Sequence, residues 1–363
     1  MRGSADNRGM RILSAVNSAA EVNVLRAAGA DELFCGIYEK GDVSHGNRAL
    51  NRREGLGHSL DGLDEFGEVA AAAADAGLPL HVALNSFYAT AALAAAKRQA
   101  ERTLAYRPAG FIVSDIAMLL HLRRIGWPGH VSISVGGVAL NSQAMLFYRE
   151  LGADRVVLPR QLSLAEIAAL KDAPVDKEVI VLESRCFFMD GFCNFHHTVV
   201  KGASFDAGSS RFLARQVMPR LKSLAGSRRQ RKLLLRLVGR GPAAFGRVCS
   251  CPFEIAPLAA DGGVLPADDR SRKVASIFGG HTVEKACGLC FLPELVRGGI
   301  THLKIANRGM TLAAKTATVR FARSALDAVG EFGGAAPFRE AIRRGYGQCY
   351  QASCDERNCY LHE

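Results

Sequence analysis

Apolar and polar positions alternate in blocks along this chain of 363 residues. Short runs rich in Val, Ile and Leu recur at Arg11–Val16, Glu32–Ile37, Leu80–Leu84, Gly110–Ser114, Val131–Val135, Arg155–Leu158, Glu178–Leu182 and His302–Ala306. Their length and β-branched content mark buried strands. Helical periodicity falls between most of them, at Ala19–Ala28, Leu60–Ala76, Thr90–Tyr106, Ile116–Ile125, Ser142–Leu151, Leu164–Lys171 and Phe291–Arg297. Gly, Pro, Asn or Asp bound these segments. The pattern predicts an α/β fold, a parallel (β/α)8 barrel of TIM-barrel type. A doubly wound open sheet is the alternative. No G-x-G-x-x-G follows the first strand, so nothing indicates a dinucleotide site.

The alternation breaks between the seventh and eighth strands. Residues 201–247 hold twelve Lys or Arg and one acid, Asp206, a net +11 that equals the excess of the whole chain. Basicity is therefore a local device here and not a property of the fold. Within the insertion, Leu221, Leu224, Leu233, Leu234, Leu237 and Val238 give two basic stretches an apolar face. Such a helix fits an anionic membrane surface or an RNA backbone. It equally fits a solvated helix capping the barrel. Only Phe205, Phe212 and Phe245 interleave the charges, so base stacking has little support.

The expected organisation is a frayed start at 1–10, a barrel over 11–345 interrupted by the basic insertion at 201–247, and a Cys-rich tail at 346–363. No secretory leader or bilayer-spanning stretch is recognisable, which points to the cytoplasm, with peripheral contact to the inner membrane through the insertion. Ten cysteines in such a chain argue for metal ligation rather than disulfides. Cys35, standing alone, reads as a small buried hydrophobe.

Two thiols, Cys186 and Cys193, follow directly on the seventh strand. The ends of buried parallel strands are where α/β proteins place their chemistry. A second pair, Cys249 and Cys251, follows the basic insertion. Four thiolates suit zinc or an iron–sulfur cluster. The C-x6-C and C-x-C spacings are not the short knuckles of structural zinc, which favours a cluster bridged from separate loops. Five further thiols come late: Cys287 and Cys290 as C-x2-C, then Cys349, Cys354 and Cys359. The C-x2-C pair with two of the tail thiols is a candidate second metal site, expected to hold another cluster.

Several stretches together resemble the peptidase U32 family. They are Leu80–Asn85, Ser132–Ser142, Gly152–Ser163 with its Val-Val-Leu-Pro-Arg string, the Cys186-x6-Cys193 pair, and Leu292–Arg308. The similarity is nearest to the UbiU-type branch of dioxygen-independent ubiquinone-biosynthesis hydroxylases. It implies a barrel with a [4Fe-4S] cluster on Cys186, Cys193, Cys249 and Cys251. It further implies hydroxylation without dioxygen, of a quinone ring, another small or lipid-like substrate, or an RNA base. Prephenate is the implied oxygen donor, and a heterodimer with a related U32 chain is an implied assembly. The family label also raises peptide hydrolysis, but no G-x-S-x-G or H-E-x-x-H stands in the sequence. The family's Lys-Ile-Glu-Gly-Arg ending is Lys304-Ile305-Ala306-Asn307-Arg308 here, so an acid is lost, and the Arg-Glu pair is Arg160-Gln161.

Other side chains complete the expected site. Arg160, Lys304 and Arg308 are barrel-end cations able to bind an acidic oxygen donor, or to form ion pairs within the barrel. His196 and His197, just past Cys193, are either proton-transfer groups beside the cluster or surface histidines. Asn85 and Asn141 stand at strand ends, where they orient a substrate or cap the next helix.

Overall fold

Runs of Val, Ile and Leu that are apolar on both faces need a neighbouring strand on each side and helices outside. In the computed structural model, eight such strands close a parallel barrel. They are β1 (Arg11–Ala15), β2 (Glu32–Cys35), β3 (Leu80–Leu84), β4 (Gly110–Val113), β5 (His130–Ile133), β6 (Arg155–Val157), β7 (Asp176–Leu182) and β8 (His302–Ile305). The strands follow one another around the ring in sequence order, and β1 pairs with β8 to close it, Ile12 opposite Leu303. The structure describes residues 9–38, 59–183, 185–186, 266, 282–283, 285–332, 334–355 and 358–361. The basic insertion 201–247, His196, Cys193, Cys249 and Cys251 lie outside them.

The outer helices are α1 (Ala19–Ala27), α2 (Gly62–Asp75), α3 (Thr90–Thr103), α4 (Ile116–Arg124), α5 (Ser142–Glu150), α6 (Leu164–Ala169), α7 (Leu292–Arg297), α8 (Leu312–Asp327) and α9 (Ala335–Tyr350). Alternate strand residues divide between two interiors, as period-two geometry requires. Ile12, Leu33, Val82, Phe111, Val131, Val156, Val181 and Leu303 are fully buried in the core that includes the helices' apolar faces. Leu13, Ala15, Phe34 and Ile112 form a separate, smaller cluster inside the barrel. Glu32, His81, Arg155, Glu178, His302 and Lys304 add a buried polar group at one end of that interior.

The observed elements follow the predicted ones in order, with differences at their bounds. Leu60 and Asp61 form a short strand paired with Ile37 and Tyr38 before α2 begins. Val16, Ser114, Leu158 and Ala306 leave the ladder one residue earlier than expected and belong to the loops at the barrel's C-terminal mouth. Helices α8 and α9 were absent from the sequence reading. The 345/346 boundary between barrel and tail falls inside α9, whose Phe338, Ile342, Tyr346 and Tyr350 recur every four residues and are buried. Those side chains pack on the barrel as its final helix, so the tail proper starts only after Tyr350.

Candidate active site at the barrel mouth

The first residues of parallel strands all lie at one end of a barrel, here a charged floor. Arg155 opens β6 and reaches both Glu32 (2.9 Å) and Glu178 (3.1 Å). His302 Nε2 lies 3.3 Å and His81 Nε2 3.1 Å from the Glu32 carboxylate. Burial alone would raise the Glu32 carboxyl. The side chains of His302, His81 and Arg155 more than reverse that and hold it well below the usual carboxylate range. Glu178 is likewise opposed by burial, yet the charges of Lys304 and Arg155 bring it down to about 2. Two carboxylates thus face the buried cations Arg155 and Lys304, and the exposed Arg11 guanidinium also reaches Glu32 at 3.2 Å.

Lys304 belongs to this floor. Its Nζ donates to Glu178 Oε1 at 2.8 Å and lies 4.6 Å from the centre of the Phe34 ring. Of the three cations expected to meet an acidic ligand, Lys304 is therefore held from below by a carboxylate. Arg308 is buried on the same ring, its guanidinium 5.4 Å from the Phe34 centroid, and burial lowers it to about 10. Arg160 is half-buried in the turn after β6.

The C-terminal mouth is assembled from residues one step past each strand. Asn85 Nδ2 donates to Ser134 Oγ at 3.4 Å, and Ser114 Oγ donates to the Asn85 carbonyl at 3.0 Å. These bonds tie the ends of β3, β4 and β5 together. Asn141 is placed differently. It caps α5, its Oδ1 accepting from Ala144 N at 2.9 Å, which is the capping role weighed for it. Asn307 closes the seam between β8 and β1. Its Oδ1 accepts from Ala15 N and its Nδ2 donates to Ser14 Oγ, both at 3.0 Å.

Glu183 terminates β7 in a left-handed conformation, φ 66°, unusual for a side chain larger than Asn. It is buried, and its backbone N–H bonds the Ala286 carbonyl at 2.9 Å. The turn redirects the chain into a two-residue strand, Arg185–Cys186, paired with Thr282–Val283. Gln161 Nε2 donates to the Cys186 carbonyl at 3.4 Å, so the turn after β6 is tied to the cysteine segment. Cys186 is half-buried and not part of a disulfide. Its donor chemistry and its position at the mouth suit a ligand of a cluster, and it is the one proposed ligand of that set among the described residues. Cys35 is fully buried, and burial pushes its thiol up to about 12, as suits an inert core residue.

Ser114, Ser134, Phe34, Glu183 and Asn307 were not singled out from the sequence. A usable signal existed for most of them, since each polar residue stands immediately beyond an apolar run. Among the described residues, no three Cys, His, Asp or Glu side chains converge closely enough to hold a metal ion. No described helix is long and apolar enough to cross a membrane.

A family model described as peptidase family U32 matches residues 17–209. The tRNA hydroxylation protein P of Haemophilus influenzae is 24% identical over 185 residues, which are 50% of this chain and 37% of that protein. The solved structure of the U32 peptidase Mk0906 superposes with a TM-score of 0.38 at 16% identity, over 50% of this chain and 71% of its own. A glycerophosphodiester phosphodiesterase from Parabacteroides distasonis gives a TM-score of 0.36 at 15% identity, over 48% and 84% of the two chains. The family match takes in more than half of the chain, including six of the eight barrel strands, Cys186 and Cys193; the chain belongs to peptidase family U32.

Proposed function

We propose that this chain hydroxylates an aromatic ring without dioxygen, at a [4Fe-4S] cluster held by Cys186, Cys193, Cys249 and Cys251. The observation that carries this reading is Cys186 itself. Its half-buried thiol stands at the mouth of a closed barrel, beside the loop that bears Arg160 and Gln161. A cluster, when bound, supplies one-electron redox chemistry. The chain's own residues do the rest. Arg160 and Arg308 supply cationic charge for an acidic oxygen donor of the prephenate class. Lys304 is engaged by Glu178 and contributes its field rather than a free contact. Asn85, held by Ser134, presents an oriented amide toward the substrate, and His196 moves a proton. A thiol committed to iron is not a free nucleophile, which weighs against peptide hydrolysis.

An RNA base is the favoured ring. A relative named for tRNA hydroxylation and a basic segment at 201–247 both support it. A quinone with an isoprenoid tail is the second reading. It draws support from Phe87 and Ile116, large apolar side chains left about two-fifths exposed on the rim beyond β3 and β4.

The test is mass spectrometry of RNA nucleosides and quinones from cells lacking the gene, complemented by the wild type or by Cys186→Ser. A hydroxylated nucleoside that only the wild type restores is the expected result. A hydroxylated quinone in its place selects the second reading. If neither changes, or Cys186→Ser complements fully, the hydroxylase reading is wrong.

A further inference from the structure

We propose that Cys287, Cys290, Cys354 and Cys359 form a second metal site, a tetrathiolate for a thiophilic metal, either zinc or an iron–sulfur cluster. It is built from other residues than the site at Cys186 and does not depend on the proposed function.

Four features of the backbone bring these thiols together. Cys287 and Cys359 stand opposite each other in an isolated parallel β-bridge. That bridge is fixed by Cys287 N–H to Asn358 carbonyl (2.7 Å) and Tyr360 N–H to Cys287 carbonyl (2.9 Å). Residues paired this way point their side chains to the same side. Cys290 lies three residues beyond Cys287, on the 3-10 turn Leu289–Phe291 that follows the bridge. Cys354 and Cys359 flank a turn in which Asn358 N–H bonds both the carbonyl (3.1 Å) and the side chain (3.0 Å) of Asp355. Gly288 leaves room for this approach, since a Cβ there would meet the Cβ of Tyr360 at 3.1 Å.

The charges agree. Burial, then the neighbouring Cys354 and Cys359, pushes the Cys290 thiol up to about 11. Burial raises Cys287 still more strongly, with contributions from Cys290, Cys354 and Cys359. Four thiolates around a divalent ion carry a net charge of about −2, and cations stand ready to balance it. Arg339 and Arg343 act on Cys290, Arg343 acts on Cys354, and Cys359 acts on Arg185. Arg339 is held in place over the Phe291 ring, 5.0 Å from its centroid. Cys349, by contrast, stands within helix α9 and takes no part in the Cys287–Cys359 bridge.

Among the described residues these four sulfurs are not closed to coordinating spacing. Cys354 is exposed, on a stretch with neither helix nor strand. In sites of this kind the ion itself draws the last ligands in, because binding energy is folding energy.

The test is metal and sulfide analysis of the anaerobically purified full-length chain, comparing the wild type with Cys354→Ser/Cys359→Ser and with Cys349→Ser. The double variant is expected to lose about one zinc, or about four iron with matching sulfide, per chain. Cys349→Ser is expected to lose none. Zinc loss identifies an ion, and joint iron and sulfide loss a cluster. Should the double variant misfold, cobalt(II) added to metal-free Cys186→Ser/Cys193→Ser protein gives the second readout, strong thiolate-to-cobalt absorption. An unchanged metal complement in the double variant, equal loss in Cys349→Ser, or no such absorption would overturn the proposal.

Discussion

Glu178 sits at the centre of the barrel floor, fully buried between Arg155 and Lys304. Removing one member of a buried charge pair leaves the others desolvated and uncompensated. Glu178→Gln is therefore expected to destabilise the fold by about 3–5 kcal/mol, read from the shift of a urea unfolding midpoint. A change below about 1 kcal/mol would mean that water reaches the floor. The same floor fixes an acid limit. Burial, then the charges of Arg155 and His81, holds the His130 imidazole down at about 4, below its ordinary 6.5. Between those values the unfolded chain binds the proton and the folded chain does not, so stability is full above pH 6.5 and falls as pH drops toward 4. Glu178, held at about 2 against an ordinary 4.5, extends the loss, its contribution present above pH 4.5 and fading toward 2. Stability measured across this range should fall in two stages, and His130→Gln should remove the upper one. An unaltered profile in that variant would rule His130 out as its source.

Caps and close approaches set the elements. Asn141 supplies the first N–H partner of α5, and Asn141→Ala should cost about 1 kcal/mol of stability without altering metal content. Loss of metal in that variant would give Asn141 a role beyond the cap. Gly110 opens β4 where a Cβ would meet His81 Nδ1 at 2.3 Å and the His130 carbonyl at 2.7 Å. Gly110→Ala should then destabilise by about 1–3 kcal/mol through overpacking, and unchanged thermal unfolding would refute that reading. At this scale the sequence was readable wherever one local signal sufficed. Apolar runs located all eight strands. The four-residue spacing of Phe338, Ile342, Tyr346 and Tyr350 carried α9 just as plainly, but the tail cysteines drew the boundary through it. The floor was not readable. Glu32 and His302 are 270 positions apart, and only ring closure brings them together. A Glu or His at a strand's first position looks like an exposed end until the barrel shows which way it points. Lys304 had two readings, a ligand contact or an ion pair within the barrel, and nothing local reveals that Glu178 lies beneath it.

For the whole molecule, the positive excess is confined to 201–247, while the barrel is balanced. RNA binding through that segment should weaken steeply with salt, and deletion of 201–247 should flatten the slope. A salt-independent affinity, or an affinity unaffected by the deletion, would turn attention to the apolar rim at Phe87 and Ile116. Everything functional in this account rests on iron at the mouth of the barrel. The decisive measurement is iron and acid-labile sulfide, with electron paramagnetic resonance of the reduced protein, on anaerobically purified wild type and Cys186→Ser/Cys193→Ser. The double variant is expected to lose about four iron and as many sulfides per chain, together with a reduced-cluster signal. A wild type without iron, or a variant with the same iron, sulfide and signal as the wild type, would contradict it.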